Sequence, residues 1–91
     1  MPRALAMQRL VVPARDRARY LEGLARRKAI FRREGCNFWV FEESEIIGAF
    51  VEFAEAGSAE VLAAALAAAA ETDAGPKEGA RLPIYIEVPL E

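Results

Sequence analysis

The spacing of apolar residues changes several times along this 91-residue chain, and the order of those changes is its most constraining feature. Short runs rich in β-branched and aromatic residues predict strands, whereas recurrence every three or four residues predicts helices. The sequence predicts strands over 4–12, 36–42, 48–53 and 82–88, with helices over 13–34 and 58–72. The predicted order is therefore β-α-β-β-α-β.

Both predicted helices have sequence signals at their ends. In the first helix, Asp16 is a candidate N-cap and Gly35 a natural stop, while Ile30 falls off the apolar stripe. That stripe consists of Tyr20, Leu24 and Phe31, with Leu21 and the stem of Lys28 beside it. Ser58 is expected to cap the second helix, which ends at the turn residues 73–76. Its buried stripe consists of Val61, Leu62, Ala65, Leu66 and Ala69.

This order of elements predicts a ferredoxin-like α+β fold, formed by residues 1–91 as one domain. Such a fold has a four-stranded antiparallel sheet with both helices on one face. The other face is left uncovered. It must therefore be polar, hold a ligand, or pack against another subunit.

Strand alternation predicts which side chains lie on the uncovered face, called here the open face. In the last strand Ile84, Ile86 and Val88 form the apolar set that faces the helices. The third strand is assigned with Ala49, Val51 and Phe53 inward. The second is assigned with Phe38 and Val40 inward, although it fits either facing. The open face is then expected to carry Asn37, Trp39, Phe41, Phe50, Glu52, Tyr85 and Glu87. A surface so rich in aromatic residues is typical of a binding or dimer contact.

Residues 12–66 resemble small bacterial proteins of the dimeric α/β-barrel superfamily, which includes the antibiotic-biosynthesis monooxygenase-like group. The residues that carry the resemblance are Val12-Pro13-Ala14, Tyr20-Leu21, Phe31-Arg32, 35–42 and 48–53. The resemblance implies a homodimer in which two open faces pack into a barrel around a ligand. It also implies a small, largely apolar or aromatic ligand and cofactor-free monooxygenase-like activity. The alternative is a non-catalytic domain whose open face serves only dimerisation.

No catalytic residue is transferred from this superfamily, because the sequence contains no matched catalytic motif. The members that degrade haem or decarboxylate generally use a histidine, and this chain has none. Cofactor-free members place polar groups, often Asn and Trp, around an aromatic substrate. Asn37 and Trp39 correspond to those groups only loosely.

Glu52 and Glu87 are the best candidates for acid–base chemistry. Two carboxylates on one sheet face can act as an acid–base pair, and partial burial raises the pKa of a glutamate. The alternative is that each pairs with Arg9, Arg81 or an arginine of a second subunit.

Other kinds of site are disfavoured by composition. With no histidine and Cys36 as the single cysteine, zinc and most transition-metal sites are excluded, and Cys36 is expected to be a core residue. Residues 49–53 resemble part of an RNA-recognition motif. The basic residue and glycine expected before it are Ile46 and Ile47, and Gly48 replaces its first aromatic residue, so no nucleic-acid partner is expected.

Charge is unevenly distributed along the chain. Residues 1–35 carry ten Arg or Lys and three acids, whereas residues 36–91 carry two Arg or Lys and eleven acids. We interpret this as a basic helix close to acidic strands or to an acidic neighbouring subunit. The sequence shows no export signal or membrane span, and a lone thiol suits a reducing compartment, so a cytoplasmic protein is expected.

Overall fold

The computed structural model of the protein describes residues 2–71 and 82–90. The elements, in chain order, are β1 (Ala4–Val11), a 3-10 turn (Ala14–Asp16), α1 (Arg17–Arg33), β2 (Asn37–Glu42), β3 (Ala49–Ala56), α2 (Ala59–Ala70) and β4 (Tyr85–Ile86). Within these residues, no helix is long and apolar enough to cross a membrane.

The four strands form one antiparallel sheet in the order β2-β3-β1-β4. The two helices pack on the same side of this sheet, with α1 against β2 and α2 against β1 and β3. The predicted ferredoxin-like βαββαβ fold is confirmed. Its core lies between the sheet and the helices and contains apolar residues from both layers.

The turn that joins β2 to β3 requires glycine at its last position. Gly48 has a φ of 91°, and a side chain there would place its Cβ only 2.6 Å from the backbone oxygen of Val12. The Gly48 carbonyl in turn accepts a hydrogen bond of 2.8 Å from the Val12 N–H. This close approach fixes the hairpin against the end of β1.

Helix α1 differs from its prediction at its start and in its buried face. The Asp16 side chain does not cap the helix but accepts a hydrogen bond from Arg19 at 3.1 Å. Leu24 and Phe31 are buried as predicted, but Leu21, predicted beside them, is exposed, and Ile30 is buried. The buried face is wider than the predicted stripe because α1 contacts both β2 and α2.

Helix α2 begins as predicted. Ser58 lies in the N-cap position, and its Oγ accepts a hydrogen bond from the backbone N–H of Val61 at 3.2 Å. Val61 itself is exposed, which corrects the predicted stripe. The buried residues of the helix are Leu62, Ala65, Leu66 and Ala69. The predicted helix end at 73–76 lies outside the described residues.

Replacing the capping serine tests this helix start. Ser58→Ala should lower the free energy of unfolding by about 1 kcal/mol, because the Val61 N–H loses its acceptor. Urea denaturation of this variant and of Ser44→Ala, at an exposed turn position, measures the difference. Equal stability of the two variants would show that the cap contributes nothing.

Strand β4 is much shorter than its prediction. Only Tyr85 and Ile86 pair with β1, opposite Leu5 and Ala4. Pro83 and Pro89 flank the strand in sequence, and proline cannot donate to a strand ladder. The paired segment is therefore only two residues long, at the edge of the sheet. Tyr85 lies on the open face, as predicted.

The predicted facing of the third strand is wrong. Phe50 and Glu52 lie on the helix-covered face, whereas Val51 and Phe53 lie on the open face. The two apolar sets of β3 are similar in size, so the prediction depended on treating Glu52 as a solvent-facing residue. That carboxylate is instead buried beside a guanidinium, as described below.

Candidate functional site

The open face carries large aromatic side chains that no described element covers. Trp39 is 47% exposed, Phe41 59% and Tyr85 52%. Phe41 packs edge-on against Phe53, with ring centroids 5.7 Å apart. Isolated exposed apolar side chains are ordinary in proteins, but a contiguous aromatic face indicates an interaction or ligand surface.

One end of the open face contains a pocket of about 380 Å³, called here the open-face pocket. Its walls are largely apolar, and charged side chains border them. It is lined by Arg3, Leu5, Trp39, Glu55, Tyr85, Ile86 and Glu87. Small-molecule sites typically measure about 300–1,000 Å³ and combine apolar walls with a few polar groups, and this pocket meets both criteria.

Arg3 organises the charged side of the open-face pocket. Its Nη2 donates to Glu87 Oε2 at 3.0 Å and its Nη1 to Glu55 Oε2 at 3.2 Å. The Arg3 backbone N–H also donates to Glu87 Oε1 at 3.0 Å. Asn37 Nδ2 completes the group by donating to Glu55 Oε1 at 2.7 Å. Hydrogen bonds from Arg3 lower the pKa of Glu87 to about 2, so this carboxylate is ionised at neutral pH.

The structure divides the predicted site residues between the two faces of the sheet. Trp39, Tyr85 and Glu87 line the open-face pocket, and Asn37 contacts it through Glu55. Phe41 lies on the same face outside the pocket. Phe50 and Glu52 lie on the helix side, where the Phe50 ring packs against Tyr20 at a centroid distance of 4.7 Å.

Sequence reasoning missed four pocket residues, namely Arg3, Leu5, Glu55 and Ile86. Ile86 was predicted to face the helices, but it is half-exposed and lines the pocket. Glu55 lies beyond the predicted end of the third strand at 53, whereas β3 continues to Ala56. Correct alternation from Val51 and Phe53 would have placed it on the open face. Arg3 carries no such signal, because it precedes the first strand.

Glu52 belongs to a buried polar cluster with Tyr20 and Arg27, called here the buried triad. Its Oε2 accepts a hydrogen bond from the Tyr20 hydroxyl at 2.6 Å and another from Arg27 Nη2. Glu52 is 7% exposed and Arg27 5%. Burial, followed by the neighbouring Glu52 carboxylate, raises the pKa of Tyr20. The triad therefore joins α1 to the centre of β3 through a neutralised pair of charges.

The predicted pairing of Glu52 and Glu87 is excluded by this geometry. The two carboxylates lie on opposite faces of the sheet and cannot act on one molecule. Their ion-pair partners are Arg27 and Arg3, not Arg9, which lies 3.5 Å from Glu43. The other predicted partner, residue 81, lies outside the described residues.

A second, much smaller cavity lies beside the buried triad. It measures about 30 Å³ and is bordered by Gln8, Arg27 and Glu52 among apolar side chains. A volume of this size holds about one water molecule. It is too small for an organic ligand. We take the open-face pocket as the candidate binding site because aromatic and charged side chains meet there.

Cys36 is buried in the core, and burial raises the pKa of its thiol. A protonated, enclosed thiol is a poor nucleophile, which supports the packing role predicted for it. Among residues 2–71 and 82–90, no three acidic or cysteine side chains are grouped so that they could hold a metal ion.

Comparison with known proteins gives a likeness in fold. No family model matches the sequence, and no curated protein matches it. The structure is similar to the crystal structure of a conserved protein of unknown function from Bacteroides thetaiotaomicron VPI-5482, described as a possible oxidoreductase. The two share 22% sequence identity with a TM-score of 0.60, over 94% of this chain and 93% of that chain. This likeness supports the α+β architecture.

Proposed function

We propose that the protein is a homodimer whose two open faces pack together and bind a small, largely apolar or aromatic molecule between them. The observation that carries this proposal is the open-face pocket, where Trp39 and Tyr85 are half-exposed beside a volume of about 380 Å³. Packing a second copy against this face would remove both aromatic side chains from water and close the pocket.

The size of the open face suits such a dimer. The four strands contain 8, 6, 8 and 2 residues. At about 3.4 Å per residue and about 4.8 Å between strands, they present roughly 400 Å² in projection. A specific interface buries about 800 Å² of accessible surface per partner, and accessible surface exceeds projected area on a face with large side chains. The open face is therefore of the right order for a stable contact.

For chemistry, we propose cofactor-free monooxygenase-like activity of the kind found in the dimeric α/β-barrel superfamily. The sequence resemblance over residues 12–66 supports it, and the description of the structural neighbour as a possible oxidoreductase is compatible with it. Within the pocket, Trp39 would stack on a planar substrate and the ionised carboxylates would orient its polar groups. We also place the protein in the cytoplasm, because Cys36 is its single cysteine and a lone thiol suits a reducing compartment.

A non-catalytic dimerisation domain is the second candidate. The observation in its favour is that Phe41 and Val11 are exposed on the open face but lie outside the pocket. Such residues are explained by packing against another subunit without any ligand.

Binding of a neutral aromatic probe separates the two candidates. The dimer should bind 2-phenylethanol saturably in calorimetric titration, and Tyr85→Ala should weaken this binding about tenfold, because the ligand loses one aromatic wall. Phe41→Ala, on the same face outside the pocket, should leave the affinity unchanged. An intact dimer that does not bind the probe would support the dimerisation domain instead.

A further inference from the structure

The charges on the side chains that line the open-face pocket do not sum to zero. Among residues 2–71 and 82–90, Glu55 and Glu87 share the guanidinium of Arg3, so the described lining side chains carry a net charge of −1. Asn37 donates a hydrogen bond to Glu55 but contributes no charge. Glu87, with a pKa lowered to about 2, does not relieve the imbalance by taking up a proton near neutral pH.

This net negative charge becomes destabilising when the pocket is enclosed. In the free chain water screens the carboxylates, whose side chains are 14% exposed for Glu55 and 41% for Glu87. Between two sheets the water is reduced, and an uncompensated carboxylate costs free energy unless a positive charge pairs with it. A cation at this end of the open face would therefore stabilise the proposed dimer.

The uncharged walls of the pocket suit a cation as well. Trp39 and Tyr85 lie on the same face of the sheet, on either side of Leu5 and Glu55. The faces of tryptophan and tyrosine rings attract ammonium groups through their negative π clouds. Aromatic rings and carboxylates together are the usual surroundings of a bound organic ammonium.

We infer that the ligand of the open-face pocket is an organic cation, namely a small apolar or aromatic body that carries an ammonium group. The ammonium contacts Glu55 and Glu87, and the apolar body packs between Trp39, Tyr85 and Leu5. This inference rests on the pocket of the proposed function and adds the charge of its ligand. A second copy could supply the cation instead through Arg9, whose side chain is exposed on the same face.

Three probes of similar shape and different charge test the inference. At pH 7 and low salt, 2-phenylethylammonium should bind about tenfold more tightly than 2-phenylethanol, and 3-phenylpropanoate should bind most weakly. Added sodium chloride should reduce the preference, because it screens the ionic contact. Calorimetric titration of the 91-residue chain, with sedimentation in the same buffer, measures affinity and assembly together.

Matched variants identify the group that gives the preference. Glu55→Gln keeps the shape of the side chain and leaves Arg3 paired with one carboxylate, so the ammonium should bind no better than the alcohol. Glu43→Gln, beside Arg9 and outside the pocket, should retain the preference. Circular dichroism confirms that both variants fold.

The outcomes separate failure of this inference from failure of the proposed function. If the alcohol binds as well as the ammonium, the inference is wrong and the pocket remains a ligand site. If none of the three probes binds, both are wrong. If Arg9→Gln weakens the dimer and the ammonium shows no preference, the cation comes from the second copy, which also overturns the inference.

Discussion

Arg27→Met should lower the free energy of unfolding by about 3–5 kcal/mol, because it leaves a buried carboxylate without its cation. Arg27 and Glu52 are each more than nine-tenths buried, and Tyr20 supplies only a neutral hydrogen bond to the same oxygen of Glu52. Methionine fills much of the space of the arginine stem, so the loss should reflect charge more than packing. Urea denaturation measures the change.

Two further variants test whether the loss of stability comes from the unpaired charge. Arg26→Met changes the neighbouring exposed arginine of α1 and should alter stability by less than about 0.5 kcal/mol. Arg27→Met combined with Glu52→Leu removes both charges and should recover most of the lost stability, since apolar residues often replace a buried ion pair at little cost. A double variant no more stable than Arg27→Met would show that the triad contributes mainly through packing.

Trp39→Glu should raise the dissociation constant of the dimer about a thousandfold or more, equivalent to about 4 kcal/mol. The substitution places a charge in the proposed contact between two sheets, beside Glu55, which already carries negative charge. The fold of the single chain should survive, because Trp39 lies on the face away from the core.

The matched control for this substitution is Leu21→Glu. Leu21 is also an exposed apolar residue, at 44%, but it lies on α1, away from the open face. Sedimentation velocity should show that this variant assembles like the unmodified protein. Equal loss of assembly in both variants would mean that the dimer uses the helices, and equal retention would mean that Trp39 is outside the contact.

The order of elements was predictable because each element has its own local signal. The aromatic and β-branched run of β2, the Ser58 cap and the alanine-rich stripe of α2 all depend on residues close in sequence. Trp39 and Tyr85 were placed on the open face for the same reason. Strand alternation assigned them without knowledge of any distant partner.

The facing of β3 was not predictable from local pattern. Glu52 is tolerated in the core only because Arg27 and Tyr20, from a helix more than twenty positions away, lie against it. Alternation also offered two apolar sets, and the set on the helix side includes Ala54 and Ala56. Small side chains at these positions allow α2 to lie close to the sheet. The facing of β3 therefore depends on how the helix packs, which the local pattern does not show.

The charged border of the pocket also depends on residues that are far apart in sequence. Arg3 contacts Glu55 and Glu87, which are 52 and 84 positions away in sequence. No spacing rule joins such residues. The sequence could therefore predict the aromatic wall of the site but not the ion pairs beside it.

The mass of the unmodified protein in solution tests the central claim most directly. Sedimentation equilibrium at micromolar concentration should give twice the 10.0 kDa of one chain. Acrylamide should quench the fluorescence of Trp39, the only tryptophan, less in the dimer than in the monomer obtained on dilution. A mass of one chain under conditions where the fold is intact would contradict the account, because the open face would then remain uncovered.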